Sequence, residues 1–212
     1  VSLDARWGRV GETFGEDPYH VGKMGSALIN GYQGKDFSGP ENVIGCANHY
    51  IAGSEPPNGL NFAPMDLSER RLREVFLPPY KAAVDAGVHS IMLYHNEVNG
   101  MPCHASKYLI TDILKEELGF KGIVLSDWND VERLHTIYNI ATSVKDADKL
   151  AIDAGLDMNM HGLEFYKNVV DLIKEGKISE SRIDESVRKI LKTKFQLGLF
   201  ENRYVNEEKA RE

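Results

Sequence analysis

The residues of this sequence best suited to chemistry are spread along the chain, one or two at a time. Asp127 stands in Leu125-Ser-Asp-Trp128, directly after an apolar run. A carboxylate there can attack an electrophilic carbon or bind a metal, and the adjacent indole of Trp128 offers the flat surface on which sugar rings stack. An aspartate that follows a strand also caps helices, and spacing alone leaves both roles open. Tyr94, His95 and Asn96 follow an earlier apolar run. The Tyr94 hydroxyl could orient a nucleophile, or the residue could be an amphipathic part of a rim. His49 closes Cys46-Ala-Asn-His49, where it could donate to a substrate hydroxyl, ligate a metal or act as a satisfied polar residue. Arg6 and Arg9 flank Trp7-Gly8 ahead of Glu12, Glu16 and Asp17. A guanidinium fork here could hold vicinal hydroxyls or pair with those acids. Asp157, beside Met158, reads as structural.

The elements that must carry these residues follow one repeated phrase. Asp66-Leu-Ser-Glu69 reads as a capping box that opens a helix, with Leu72, Val75, Phe76, Ala83 and Val84 at helical spacing. Pro78-Pro79 should kink or divide that helix, and Gly87 should stop it. A strand follows over 88–94. Ser106 opens a second helix with Leu109, Ile110, Ile113 and Leu114 on one face, ended by Gly119 and followed by a strand over 120–125. Ser143 opens a third, with Asp146 at its third position, ended by Gly155 and followed by a short strand over 156–160. A fourth strand is expected over 42–47, after a helix from about Tyr19 to Gly31.

Short apolar strands alternating with helices, without hairpin signals, imply parallel βα units covered on both faces. The polar candidates fall at or just past the C-terminal ends of four consecutive strands. That favours a (β/α)8 TIM-like barrel, whose strand ends converge on one mouth. An open doubly wound sheet would gather them at a single switch point. Two amphipathic helices over 163–175 and 179–195 follow, and the charged stretch 201–212 reads as a linker.

Composition narrows the function classes. With 42% hydrophobic and 27% charged residues in 212, the chain is of the folded globular kind. A net charge of -7 argues against nucleic-acid binding, which needs a basic face. No apolar run approaches the ~20 residues of a membrane helix. Cys46 and Cys103 form neither a disulfide framework nor a metal-ligand spacing. Nothing matches G-x-G-x-x-G or a P-loop, so no nucleotide cofactor is expected. No H-x-H or H-x-x-x-H pair occurs either. Metal-assisted hydrolysis therefore ranks behind glycoside hydrolysis with Asp127 as one of two carboxylates. Val1-Ser-Leu-Asp-Ala-Arg-Trp7 lacks the basic start and apolar region of a signal peptide, and the sequence reads as part of a longer chain.

These residues sit in segments that resemble glycoside hydrolase family 3, the β-glucosidase and β-xylosidase type. The segments are Asp4-Ala-Arg-Trp-Gly-Arg9 with Glu12-Thr-Phe-Gly-Glu-Asp-Pro18, Leu67-Ser-Glu-Arg-Arg-Leu-Arg-Glu-Val-Phe-Leu-Pro-Pro-Tyr80, Asn96-Glu-Val-Asn-Gly-Met-Pro102, Gly119-Phe-Lys-Gly-Ile-Val-Leu-Ser-Asp-Trp128, Ala154-Gly-Leu-Asp-Met158 and Leu197-Gly-Leu-Phe-Glu201. The resemblance implies that residues 1–200 are the larger, later part of a (β/α)8 catalytic barrel whose first strands precede Val1. It implies a retaining, exo-acting β-glycosidase, with Asp127 as nucleophile and Tyr94 orienting it. Arg9, Asn48 and His49 would bind hydroxyls of a small β-glucoside or oligosaccharide, and Trp128 would shape the neighbouring subsite. No metal or cofactor is implied. The acid/base glutamate would come from a second α/β domain after 201–212, and a periplasmic or secreted setting is implied as well. Asn48 stands where the family usually has lysine, so a shorter, neutral donor replaces a charge-assisted one. Ala5 in place of the usual proline is a milder departure. The alternative is a degenerate, carbohydrate-binding barrel.

Overall fold

The computed structural model describes residues 1–39, 41–204 and 206–209. Helix α1 (Pro18–Gln33) starts where the Asp17 carboxylate accepts from the His20 N–H at 2.6 Å, with Pro18 in the first turn. Strand β1 (Cys46–Tyr50) leads to a helical stretch of three parts: α2 (Glu69–Arg71), a π-type turn (Leu72–Phe76) and α3 (Leu77–Asp85). Strand β2 (Ser90–Leu93) is followed by the small hairpin of β3 (Glu97–Val98) and β4 (Met101–Pro102), then by a π-type helix (Tyr108–Glu117). Strand β5 (Ile123–Leu125) precedes α4 (Asp130–Thr136), α5 (Val144–Ala154), α6 (Phe165–Lys174) and α7 (Glu180–Gln196).

The sheet is parallel, in the order β1-β2-β5, with Ala47 opposite Ile91 and Ile91 opposite Val124. Tyr50, Ile51, Ile91, Leu93 and Val124 are buried with Ile110, Ile113 and Leu114 of the π-type helix and Leu134 of α4. Each aliphatic side chain so buried contributes roughly 1.5–3 kcal/mol. The sheet is thus fixed from its helical faces, and its C-terminal edge is where the polar candidates emerge.

The α/β alternation is as expected, but the three strands form an open sheet and do not close into a barrel among the described residues. The strand expected over 156–160 is reduced to a single bridge from Met158 to Leu125. Asp157 explains this. Its carboxylate turns back to accept from the Val124 N–H at 3.1 Å and from Ser186 Oγ at 3.0 Å, with Lys189 Nζ at 3.3 Å, Lys115 Nζ at 3.5 Å and Arg182 Nη2 at 3.7 Å. This buried ion cluster ties α7 and the π-type helix to β5.

Strand β1 spans Cys46–Tyr50 and not 42–47. Its exposed Cys46 and Asn48 alternate with the half-buried Ala47 and His49, the pattern of an edge strand and not of an apolar run. The helix at 69 is capped by Ser68, which accepts from the Arg71 N–H at 3.2 Å, and not by Asp66. Asn99 bonds both backbone groups of Leu67, which holds 65–67 extended and delays the helix to Ser68. The expected division falls at the prolines: Pro78 and Pro79 lie in the first turn of α3, directly after the π-type turn, and lack the N–H groups that would continue its ladder. Ser143 caps α5 as expected, accepting from the Asp146 N–H at 3.1 Å. Of the expected linker, residues 205 and 210–212 lie outside the described residues.

Candidate active site

Asp127 lies two residues beyond β5. Oδ1 accepts from the Trp128 N–H at 2.6 Å, while Oδ2 faces His95 Nε2 at 2.9 Å and His49 Nε2 at 3.3 Å. Helix α4 begins after Asn129, a left-handed residue with φ 60°, and takes no side-chain cap. The carboxylate of Asp127 is therefore not engaged as a helix cap and faces imidazoles at the strand ends.

Behind it stands a chain of paired charges. His95, two residues past β2, directs Nδ1 to Asp130 Oδ2 at 2.7 Å, and Arg133 Nη1 holds Asp130 Oδ1 at 2.6 Å from one turn further along α4. The Tyr138 hydroxyl donates to the His95 carbonyl. The Phe62 ring packs 4.4 Å from the imidazole and takes Arg133 on its face at 4.9 Å. His104 Nε2 accepts from the Asp127 N–H at 3.3 Å. Parallel pairing of β2 with β5 is what brings residues 95 and 127 side by side.

Electrostatics follow from these contacts. Burial alone would raise the Asp127 pKa, but the His95 hydrogen bond, the Trp128 N–H and the charges of His95 and His49 prevail and hold it at about 2. Burial alone would lower His95, but its hydrogen bonds and charge interactions with Asp127 and Asp130 push it up to about 9. Burial, then the nearby charge of Arg9, takes His49 down to about 4 against the pull of Asp127. Burial likewise takes His104 down to about 4. At neutral pH the site thus holds a carboxylate on Asp127, an imidazolium on His95 and neutral rings at His49 and His104.

Of the two alternatives open to Arg9, the structure shows the pairing with an acid. Arg9 forms a fork with Glu12 at 2.8 and 2.7 Å, and its Nη2 also lies 3.4 Å from His49 Nε2. Arg6 pairs instead with Asp4 on the surface. Tyr94 stands edge-on to His49, with centroids 5.4 Å apart, and its hydroxyl donates to Asn61 Oδ1, which also accepts from Trp7 Nε1 at 3.0 Å. The side chain that hydrogen-bonds Asp127 directly is His95. Asn48 is exposed and its side chain makes no hydrogen bond among the described residues; with Trp7, Phe14, Leu28 and Tyr94 it lines a cleft of about 280 Å³. Trp128 is 54% exposed and packs against His161 at 4.3 Å, a flat shelf beside the carboxylate.

His95, Asp127 and Asp130 are close enough together to share a cation. Both ring nitrogens of His95 already face carboxylates, however, so its protons occupy the space a metal would take. Asp130, Arg133, Asn61 and Phe62 were not among the sequence candidates. The one local pointer was the Asp130/Arg133 pair at i,i+3 in the first turn after Ser-Asp-Trp.

Residues 1–193 match the glycosyl hydrolase family 3 N terminal domain. The chain is 44% identical over 208 residues to a β-xylosidase of Formosa agariphila, covering 93% of this chain and 29% of that protein. It is 40% identical over 214 residues to the lysosomal β-glucosidase of Dictyostelium discoideum, covering 97% and 26%. Among solved structures it superposes on the β-glucosidase of Listeria innocua in complex with glucose, with a TM-score of 0.92, 36% identity, and coverage of 96% of this chain and 29% of that one. The chain thus spans under a third of the length of these relatives.

Proposed function

The chain belongs to glycosyl hydrolase family 3, and on that premise we propose that the protein containing it is a retaining, exo-acting β-glycosidase with Asp127 as nucleophile. The observation that carries this reading is a carboxylate kept ionised at the strand ends, with one oxygen on a backbone N–H and the other on an imidazolium. An Asp127 oxygen attacks C1 of a terminal β-linked glucose or xylose. The C1–O bond breaks, and the departing oxygen takes its electron pair and a proton from a second carboxyl group roughly 5–5.5 Å away. Water then gives a proton to that second group, attacks C1 and displaces Asp127. Asp130 is not that second group, because it is buried behind His95 and held by Arg133. The acid/base belongs to a second α/β domain, with 201–212 as the linker towards it. In this reading β1, β2 and β5 are neighbouring staves of a (β/α)8 barrel, Arg9, Asn48 and His49 meet sugar hydroxyls, Tyr94 lines the same pocket and Trp128 carries the leaving group. The relatives named β-xylosidase and β-glucosidase support the sugar class.

The test is hydrolysis of aryl β-glucosides and β-xylosides by the full natural polypeptide and by its Asp127→Ala variant. The variant should lose several orders of magnitude in kcat, and azide should restore turnover with a glycosyl azide of inverted configuration as product. Undiminished activity in Asp127→Ala removes the reading. A second reading, a carbohydrate-binding barrel that has lost catalysis, draws on the short, unpaired Asn48. An inactive wild type that gains large activity as Asn48→Lys would favour it, and chelators should leave either form unchanged.

A further inference from the structure

We propose that His95 is the positioning residue of the nucleophile: clamped between Asp127 and Asp130, with Arg133 fixing Asp130, it holds the Asp127 carboxylate in attacking geometry and stabilises it again as the leaving group. The proposal rests on the reading of Asp127 as nucleophile and deepens it. Three distances carry it: 2.9 Å from His95 Nε2 to Asp127, 2.7 Å from Nδ1 to Asp130 and 2.6 Å from Arg133 to Asp130. The ring is held at both nitrogens and packed against Phe62, and Tyr138 anchors the His95 backbone through its carbonyl. Both N–H groups point at carboxylates, an arrangement only the protonated ring satisfies.

Such a contact acts differently on the two chemical steps. A proton donor on the carboxylate stabilises the free anion more than the glycosyl ester. It therefore tempers nucleophilicity in the first step, when the C1–Asp127 bond forms and the leaving oxygen departs with its electron pair. It assists the second step, when water attacks C1 and the bonding pair returns to Asp127. Orientation serves both steps.

The groups that set the proton on His95 come from every element packed against it. Asp127 follows β5, and Asp130 and Arg133 belong to α4. His49 from β1 lies with its ring centroid 6.0 Å away, joined to Arg9 and Glu12, and Tyr94 precedes His95 in the chain. His104 lies 3.8 Å from Asp130. Two of these groups can be changed without touching the donor. Asp130→Asn removes the anion that retains the proton, so His95 should titrate well below its present value of about 9. Arg133→Gln removes a like charge 3.4 Å from Nδ1 and should move the titration upward.

The experiment uses the full natural polypeptide and 2,4-dinitrophenyl glycosides, whose leaving group needs no proton, so the alkaline limb of the rate profile reports His95 and not the acid/base. Asp130→Asn should shift that limb down and Arg133→Gln should shift it up, with imidazole ¹⁵N shifts of His95 following the same order. His95→Phe should lose roughly 100-fold in kcat, the scale of one preorganised donor, and pre-steady-state bursts should show the glycosyl-enzyme accumulating. Shifts of both limbs in the same direction, or no shift in either, overturn the proposal, since loss of structure alone cannot give opposite signs. If Asp127→Ala is itself fully active, it is the assignment of the nucleophile that fails.

Discussion

Asp157→Asn isolates what the buried ion cluster contributes to the scaffold beneath the site. The native carboxylate is 0% exposed and serves the Val124 N–H, Ser186 Oγ and three cations at 3.3 to 3.7 Å. An amide keeps the shape and one acceptor but leaves Lys115, Arg182 and Lys189 facing one another. Removing one partner of a buried ion pair costs about 3–5 kcal/mol. Here the cations are 17%, 20% and 23% exposed and partly rehydrate, which sets the expectation at the low end, about 3 kcal/mol. That is roughly a hundredfold in the folding equilibrium. Guanidinium unfolding followed by circular dichroism should show a lowered midpoint at constant m-value. Adding Lys189→Met should recover part of the loss by removing one uncompensated charge, a coupling that a double-mutant cycle reads directly. A loss below about 1 kcal/mol, or strictly additive effects of the two changes, would refute the idea that Asp157 acts through its charge.

Other outcomes are expected from single changes. A Cβ at residue 53 would fall 1.6 Å from Tyr94 Cε1, so Gly53→Ala should displace the Tyr94 ring and reduce kcat up to about 100-fold, with the displacement visible crystallographically. Trp128→Ala, at an exposed ring, should leave thermal stability within about 0.5 kcal/mol while raising KM for aryl glycosides by up to about tenfold. Ser143→Ala should cost about 1 kcal/mol by uncapping α5, measured by denaturant unfolding. Because the folded pKa of His95 is raised from 6.5 to about 9, its stabilisation is complete below pH 6.5 and disappears as pH rises through about 9. Unfolding titrations of wild type against Asp130→Asn should show a decline that begins near pH 6.5 in both but is smaller, and complete at lower pH, in the variant.

Local chemistry in the sequence announced the helix starts and stops most directly. Ser143 caps α5, and Gly87 and Gly155 follow their helices with φ of +78° and +117°, because these are short-range events decided within a few residues. Where a distant residue intervened, local reading missed. Asn99 held Leu67 extended and moved the cap from Asp66 to Ser68. Lys189 and Arg182 drew Asp157 out of what would otherwise be a strand. Strand β1 was displaced because apolar content marks a strand covered on both faces, whereas Asn48 and Cys46 face open space. The site divides in the same way. The residue types at strand ends picked out His49, Tyr94 and Asp127. The contact between His95 and Asp130 spans 35 positions and exists only because β2 and β5 pair, so no spacing rule could reveal it.

The same long spans give the molecule an order of assembly in time. Cys46 pairs with Ser90, Ser90 with Ile123 and Leu125 with Met158, and the anchor at Asp157 is completed only by Lys189. A ribosome adds about 5–20 residues per second, so the roughly 100 residues between Ser90 and Lys189 take about 5–20 s to appear. During that interval β1 and β2 can meet, but their apolar faces lack most of their cover. Over these residues the nascent chain is thus most exposed to misassociation after β2 has appeared, and β5, which leads to the carboxylate at 127, gains its Asp157 anchor only once Lys189 has been made.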